Sequence, residues 1–240
     1  MYLSCFDQGH ISKFFSDPKP TTACIVANHI QRELLGQMRA PTRAGRRGRR
    51  LALCKPRRLR PGAVIGVAAP ASPFDRASFE RGVQALRGMG FNMAIPEGLS
   101  AARGYLAGAD EHRAAQLQRL FEDDRIDAVA CARGGYGSLR ILGLLDYERI
   151  AAHPKVFIGF SDATALLSAI TERCGFVAFH GPVVTSLAQA SESTAAGLLA
   201  AIASAGPLIL SPPTAVTVRP GAAAGVLCGG NLTTLCHLAG

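Results

Sequence analysis

Five short apolar runs, each separated from the next by a stretch with helical spacing, constrain this chain more than any other feature. They are Ala63-Val-Ile-Gly-Val-Ala-Ala69, Phe91-Asn-Met-Ala-Ile95, Ile126-Asp-Ala-Val-Ala-Cys-Ala132, Val156-Phe-Ile-Gly-Phe160 and Phe176-Val-Ala-Phe179. Runs this short, bounded by Gly, Pro or polar residues, read as strands buried on both faces. Between them, Asp75 can cap a helix that carries Phe79, Val83 and Leu86 on one side and ends at Gly88 and Gly90. From Asp110 a second helix turns Ala114, Leu117 and Phe121 inward and leaves Arg113 and Arg119 outside. Further helices are expected over 139–145, 161–173 and about 193–204. The alternation predicts an α/β fold, a parallel sheet with helices on both faces, occupying residues 57–205. The Pro- and Thr-rich stretch 206–221 reads as a linker. Residues 222–240 begin a further unit that so few residues cannot complete, because they cannot bury a core of their own.

The chain is basic, with a formal charge of +9 over 240 residues, but the charge is confined to one end. Residues 1–60 hold thirteen Lys or Arg against three acids, whereas residues 61–240 are balanced to within one charge. A run such as Arg46-Arg-Gly-Arg-Arg50 has the charge to bind an anionic surface, yet no aromatic residues interleave as stacking platforms. Residues 1–56 are therefore expected to be a disordered basic leader, and neither nucleic acid nor membrane is expected as a partner. No apolar run approaches the ~18 residues of a membrane span, and the N-terminus lacks the pattern of a secretory signal. Seven cysteines at irregular spacing, with no Cys-x-x-Cys, argue for a reducing compartment rather than a disulfide framework. A soluble, cytoplasmic protein is expected.

Two loops leaving strand ends carry polar residues among glycines, and in open parallel sheets the carboxyl ends of strands are where ligands gather. The first is Arg133-Gly134-Gly135-Tyr136-Gly137-Ser138-Leu139-Arg140. Its glycines permit positive φ, a hydroxyl follows at the start of a helix, and unpaired backbone N–H groups beside it could stabilise an oxyanion. The order is neither the Gly-x-Ser-x-Gly of α/β-hydrolases nor the Gly-Lys-Ser/Thr ending of a phosphate loop. From pattern alone, Ser138 is either a nucleophile or a capping serine. The second loop, Gly159-Phe160-Ser161-Asp162, is equally a helix cap or a substrate contact. A serine nucleophile needs a base and an orienting carboxylate. The downstream histidines are His153, in a polar turn before Pro154, His180, at the end of the fifth strand, and His237. Among Asp146, Glu148, Asp162, Glu172 and Glu192 no buried orienter stands out. No histidine, cysteine and carboxylate cluster has metal-ligand spacing, and no cofactor is expected.

Four motifs then appear in order: Arg133-Gly-Gly-Tyr-Gly-Ser138-Leu-Arg-Ile-Leu142, Gly159-Phe-Ser-Asp162-Ala-Thr-Ala-Leu166, Phe179-His-Gly-Pro182 and Gly229-Gly-Asn-Leu232. With Arg60-Pro-Gly-Ala-Val-Ile-Gly-Val-Ala-Ala-Pro-Ala-Ser72 before them, the chain from about residue 57 onward resembles the LD-carboxypeptidase family of serine peptidases. That family includes muramoyl-tetrapeptide carboxypeptidases and microcin C self-immunity proteins. The resemblance implies an N-terminal domain like that of class I glutamine amidotransferases, a β-rich C-terminal domain, and homodimers. It implies hydrolysis of the amide bond to a C-terminal D-amino acid, as in murein tetrapeptides during peptidoglycan recycling, or of peptidyl-nucleotide antibiotics. Ser138 falls at the family's nucleophile. The N–H groups of Leu139 and of Gly134, Gly135 and Gly137 fall at the oxyanion donors, and Ser161 and Asp162 near the substrate. The family's glutamate and histidine follow the Gly-Gly-Asn-Leu motif by tens of residues, so neither has a counterpart before Gly240. His180 belongs to the His-Gly-Pro motif and does not replace them. A chain lacking both is expected to be inactive, or to persist as a non-catalytic peptide-binding remnant.

Overall fold

The computed structural model describes residues 53–99, 101–209, 216–218, 220–222, 224 and 228–239. All but the last four residues of the expected leader, and much of the expected linker, lie outside the described residues.

The five apolar runs form one all-parallel sheet: β1 (Val64–Ala68), β2 (Asn92–Ala94), β3 (Ala128–Cys131), β4 (Val156–Gly159) and β5 (Phe179–His180). The strand order is β2-β1-β3-β4-β5. Each strand is shorter than its apolar run, and the fifth shows one cause. Phe176 bridges outward to Cys54, with Cys54 N–H donating to Gly175 O at 2.8 Å and Val177 N–H to Cys54 O at 2.9 Å. Only Phe179 and His180 pair inward with β4. Cys54, within the expected leader, is thus part of the fold.

Successive strand residues face opposite sides, and each side is covered by helices. On one side lie α2 (Asp110–Glu122), α3 (Ser138–Ile141), α4 (Tyr147–Ala152) and α5 (Thr164–Cys174). They bury Leu117, Phe121, Ile141, Ile150, Leu166 and Ile170 against Val129, Cys131 and Phe157. On the other side, α1 (Arg76–Gly88), α6 (Val184–Leu187) and α7 (Glu192–Ala203) bury Phe79, Val83, Val184, Leu198 and Ile202. These pack against Ile65, Val67, Ala130 and Ile158. Each such side chain contributes about 1.5–3 kcal/mol by leaving water. The two-sided layering matches the expected fold class.

Asp75 caps α1 as expected, accepting from Ser78 N–H at 2.7 Å. The expected 139–145 helix divides into α3 and a 3-10 turn at Leu142–Leu144, and the expected 161–173 helix into a 3-10 turn at Ser161–Ala163 and α5. The short helices α4 and α6 were not anticipated; four to six residues give too little periodicity to read. One expectation is reversed. Arg113 does not face solvent; it is 1% exposed. In the expected further unit, Asn231 caps α8 (Leu232–Leu238) through Thr234 N–H at 3.0 Å. Its own N–H donates to Thr164 Oγ1 at 2.9 Å, which docks α8 on α5.

Candidate active site

In this strand order the direction in which strands are added reverses between β1 and β3, which places a crevice at their carboxyl ends. The loop after β1 and the glycine loop after β3 meet there. Tyr136 N–H donates to Ser72 Oγ at 3.1 Å, and Arg133 donates to Pro73 O at 2.9 Å. A Cβ on Gly135, whose φ is 116°, would stand 2.3 Å from Ser72 Oγ. A bare backbone is therefore needed where the two loops cross. On the α1 and α6 side of the crevice, Asp75, Ser78, Arg133, Thr185, Ser186 and Gln189 line a cleft of about 490 Å³.

Gly137 is the N-cap of α3, with φ of 126°, and Ser138 is the first helical residue. Ser138 is fully buried, and its Oγ has no hydrogen-bond partner among the described residues. The capping alternative is thereby removed, since a cap serine would accept from a backbone N–H of the first turn. An unpartnered buried hydroxyl costs about 1–3 kcal/mol, so Ser138 is not placed for stability. No described residue accepts from the Leu139 N–H, which leaves a free donor one residue beyond the hydroxyl.

The loop after β4 completes the floor. Ser161 has φ of 57°, the one positive value among described non-glycine residues, and Gly134 packs close to it. Neither Ser161 nor Asp162 caps α5, whose N-cap is Ala163 with no side-chain cap bond. Asp162 is buried, and its Oδ2 accepts from Ser138 N–H at 2.8 Å.

The sequence pattern leaves Arg113 outside only if its charge is weighed above its position. It lies four residues before Leu117 and seven before Leu120, on the same face of α2. Its Nη1 donates to Gly137 O at 3.0 Å and also to Pro70 O, and its Nη2 to Asp110. Asp110 in turn holds Arg140 at 2.7 Å, and these two arginines keep its carboxyl below the usual range, Arg140 the more strongly.

The histidines and remaining acids do not gather at Ser138. His180 ends β5 on the same sheet edge, opposite Gly159, and stacks on Phe160 at 4.9 Å. Both of its ring nitrogens lack partners among the described residues, and burial lowers its pKa. His153 closes α4 ahead of β4, at the amino edge, and its Nδ1 lies 2.9 Å from Arg149 O. His237 is exposed on α8. Asp146 caps α4, while Glu148, Glu172 and Glu192 are exposed.

Residues 65–181 match the LD-carboxypeptidase N-terminal domain, a span that holds both glycine loops and ends within the His-Gly-Pro turn. The chain belongs to the LD-carboxypeptidase family. A protein of Bacillus subtilis named as a probable murein peptide carboxypeptidase is 37% identical over 187 residues, spanning 75% of this chain and 58% of that one. The murein tetrapeptide carboxypeptidase of Pseudomonas aeruginosa is 36% identical over 185 residues, spanning 73% of this chain and 60% of that one. Among solved structures, the microcin C7 self-immunity protein MccF in its wild-type apo state superposes with a TM-score of 0.65 at 26% identity. That superposition covers 78% of this chain and 64% of MccF. This LD-carboxypeptidase family chain spans about three fifths of the length of the curated relatives it matches.

Proposed function

We propose that this chain carries the nucleophile of a serine-type LD-carboxypeptidase acting on murein peptides. The observation that carries the proposal is Ser138. Among the described residues its buried hydroxyl at the crevice between β1 and β3 has no partner, and the Leu139 N–H beside it has no acceptor.

In this chemistry Ser138 Oγ adds to the carbonyl carbon of the amide bond before a C-terminal D-amino acid, giving its proton to a base. The tetrahedral oxyanion collapses, the C–N bond breaks, and the amine leaves with that proton. Water then hydrolyses the acyl ester and restores the serine. The Leu139 N–H, with those of Gly135 and Gly137, supplies donors for the oxyanion, and losing one such donor typically costs ~10²–10³ in rate. The reaction requires a general base, and no described residue bonds Ser138 Oγ. It also requires an opening, since Ser138 is fully buried and a peptide reaches it only when the surrounding loops part. A soluble, cytoplasmic, homodimeric hydrolase acting in peptidoglycan recycling fits this proposal.

A second substrate class is favoured by the likeness to MccF, whose solved complexes hold aminoacyl sulfamoyl nucleosides. The test is D-alanine release from a murein tetrapeptide and amino-acid release from a peptidyl-nucleotide conjugate, each with Ser138→Ala as control. Serine-dependent release of D-alanine supports the first reading. Release from the conjugate alone transfers the proposal to the second.

A further inference from the structure

The peptide unit joining Gly137 to Ser138 is held at both ends. Its carbonyl accepts from Arg113 Nη1 at 3.0 Å, and its N–H donates to Asp162 Oδ2 at 2.8 Å. Because a peptide unit is planar, fixing its C=O and N–H together fixes its rotation about the line joining the two Cα atoms. That rotation sets where Cβ and Oγ of Ser138 stand. The two holding groups come from different elements: Arg113 from α2 and Asp162 from the 3-10 turn after β4. Both are buried, at 1% and 6% exposure, where a charge-assisted hydrogen bond is strong and an unpaired charge is costly. Arg113 also holds Pro70 O, so one guanidinium ties the loop after β1 to the loop that carries the serine.

We infer that Asp162 and Arg113 are positioning residues that clamp the Gly137–Ser138 peptide, and that Asp162 is not a substrate contact. The inference deepens the proposed function and rests on it for the identity of the nucleophile. One consequence concerns the oxyanion. The Ser138 N–H is already taken by a carboxylate, so the first donor available after the serine's own is that of Leu139.

The test uses Asp162→Ala and Asp162→Asn in the full chain, with two readouts. The first needs no turnover: the ¹H–¹⁵N resonance of the Ser138 amide. A carboxylate acceptor holds this proton downfield, so Asp162→Ala moves it upfield and shifts Leu139 with it, whereas Asp162→Asn, which keeps an oxygen acceptor in place, largely restores it. The second is D-alanine release by the protein as its gene encodes it. Displacing a nucleophile by ~1 Å costs ~10²-fold, so Asp162→Ala lowers kcat about 100-fold with KM nearly unchanged, and Asp162→Asn recovers most of it. If Asp162→Ala does not fold, Asp162→Asn and Arg113→Lys still decide, the lysine keeping the charge but not the two-point reach of the guanidinium. An unmoved Ser138 amide in Asp162→Ala overturns the clamp, as does a raised KM with unchanged kcat, the mark of a substrate ligand. Absence of any serine-dependent release sinks the proposed function, and the amide resonance then decides the clamp alone.

Discussion

Replacing Gly137 by alanine tests the local geometry that presents Ser138. The residue has φ of 126°, where an L side chain is strained, at a cost of about 1–3 kcal/mol. The new Cβ would also stand 2.7 Å from Leu106 Cδ2 and 3.0 Å from Arg113 Nη1. Leu106 is buried and Arg113 is fixed by three hydrogen bonds, so neither yields freely. Overpacking of this kind adds about 1–3 kcal/mol. The two effects together predict a loss of about 2–6 kcal/mol, and at ~2–4 °C per kcal/mol for a domain of this size a Tm lowered by roughly 4–24 °C. Thermal and urea unfolding followed by circular dichroism measure it. Gly143→Ala is the control: nothing lies within 4 Å of its added Cβ and its φ is not positive, so its stability should stay within about 0.5 kcal/mol of the parent. A Tm for Gly137→Ala within a degree or two of the parent would refute the reasoning, because the loop would then have no fixed left-handed conformation to defend.

Two further perturbations address groups away from the serine. Burial holds the His180 pKa below its ordinary value, so the unfolded chain takes up the proton first as pH falls. The stability His180 contributes is complete above about pH 6.5 and is lost toward its folded pKa, at up to about 1.4 kcal/mol per pH unit. His180→Phe should remove that slope between pH 7.5 and 5 in urea titrations, and identical slopes in parent and variant would contradict it. Lys155 donates from its buried ammonium to Leu120 O and Asp123 O at the C-terminal end of α2. Lys155→Met removes both bonds, leaving Asp123 O only the Ile126 N–H, and should cost about 1–3 kcal/mol by urea unfolding; an unchanged midpoint would show that water replaces the ammonium without loss.

The sheet was legible because strands buried on both faces are nearly continuous in apolar residues, as in Val156-Phe-Ile-Gly159, and the helices of α1 and α2 because Phe79, Val83 and Leu117, Phe121 repeat at helical spacing. Cys54 was not legible as part of the fold, since one bridging residue carries no period and sits in a basic stretch. Arg113 was misplaced because a charge on a helix ordinarily faces water; its partners Pro70 O, Gly137 O and Asp110, brought together only by the fold, explain its burial. At the site, Ser138 could be named but not assigned between cap and nucleophile. Its Oγ has no hydrogen-bond partner among the described residues, which removes the cap. Asp162 was named for a helix cap or a substrate contact, and its bond to the Ser138 N–H, which joins two loops 24 residues apart in sequence, could come only from the folded chain.

The central claim is that Ser138 is a nucleophile toward the amide bond of a C-terminal D-amino acid. The most direct measurement incubates the protein, as its gene encodes it, with a murein tetrapeptide while D-alanine is quantified and intact mass is recorded. The account predicts D-alanine release with a transient acyl adduct mapped to Ser138, both abolished in Ser138→Ala. Undiminished release by Ser138→Ala, or an adduct mapped to another residue, would contradict it.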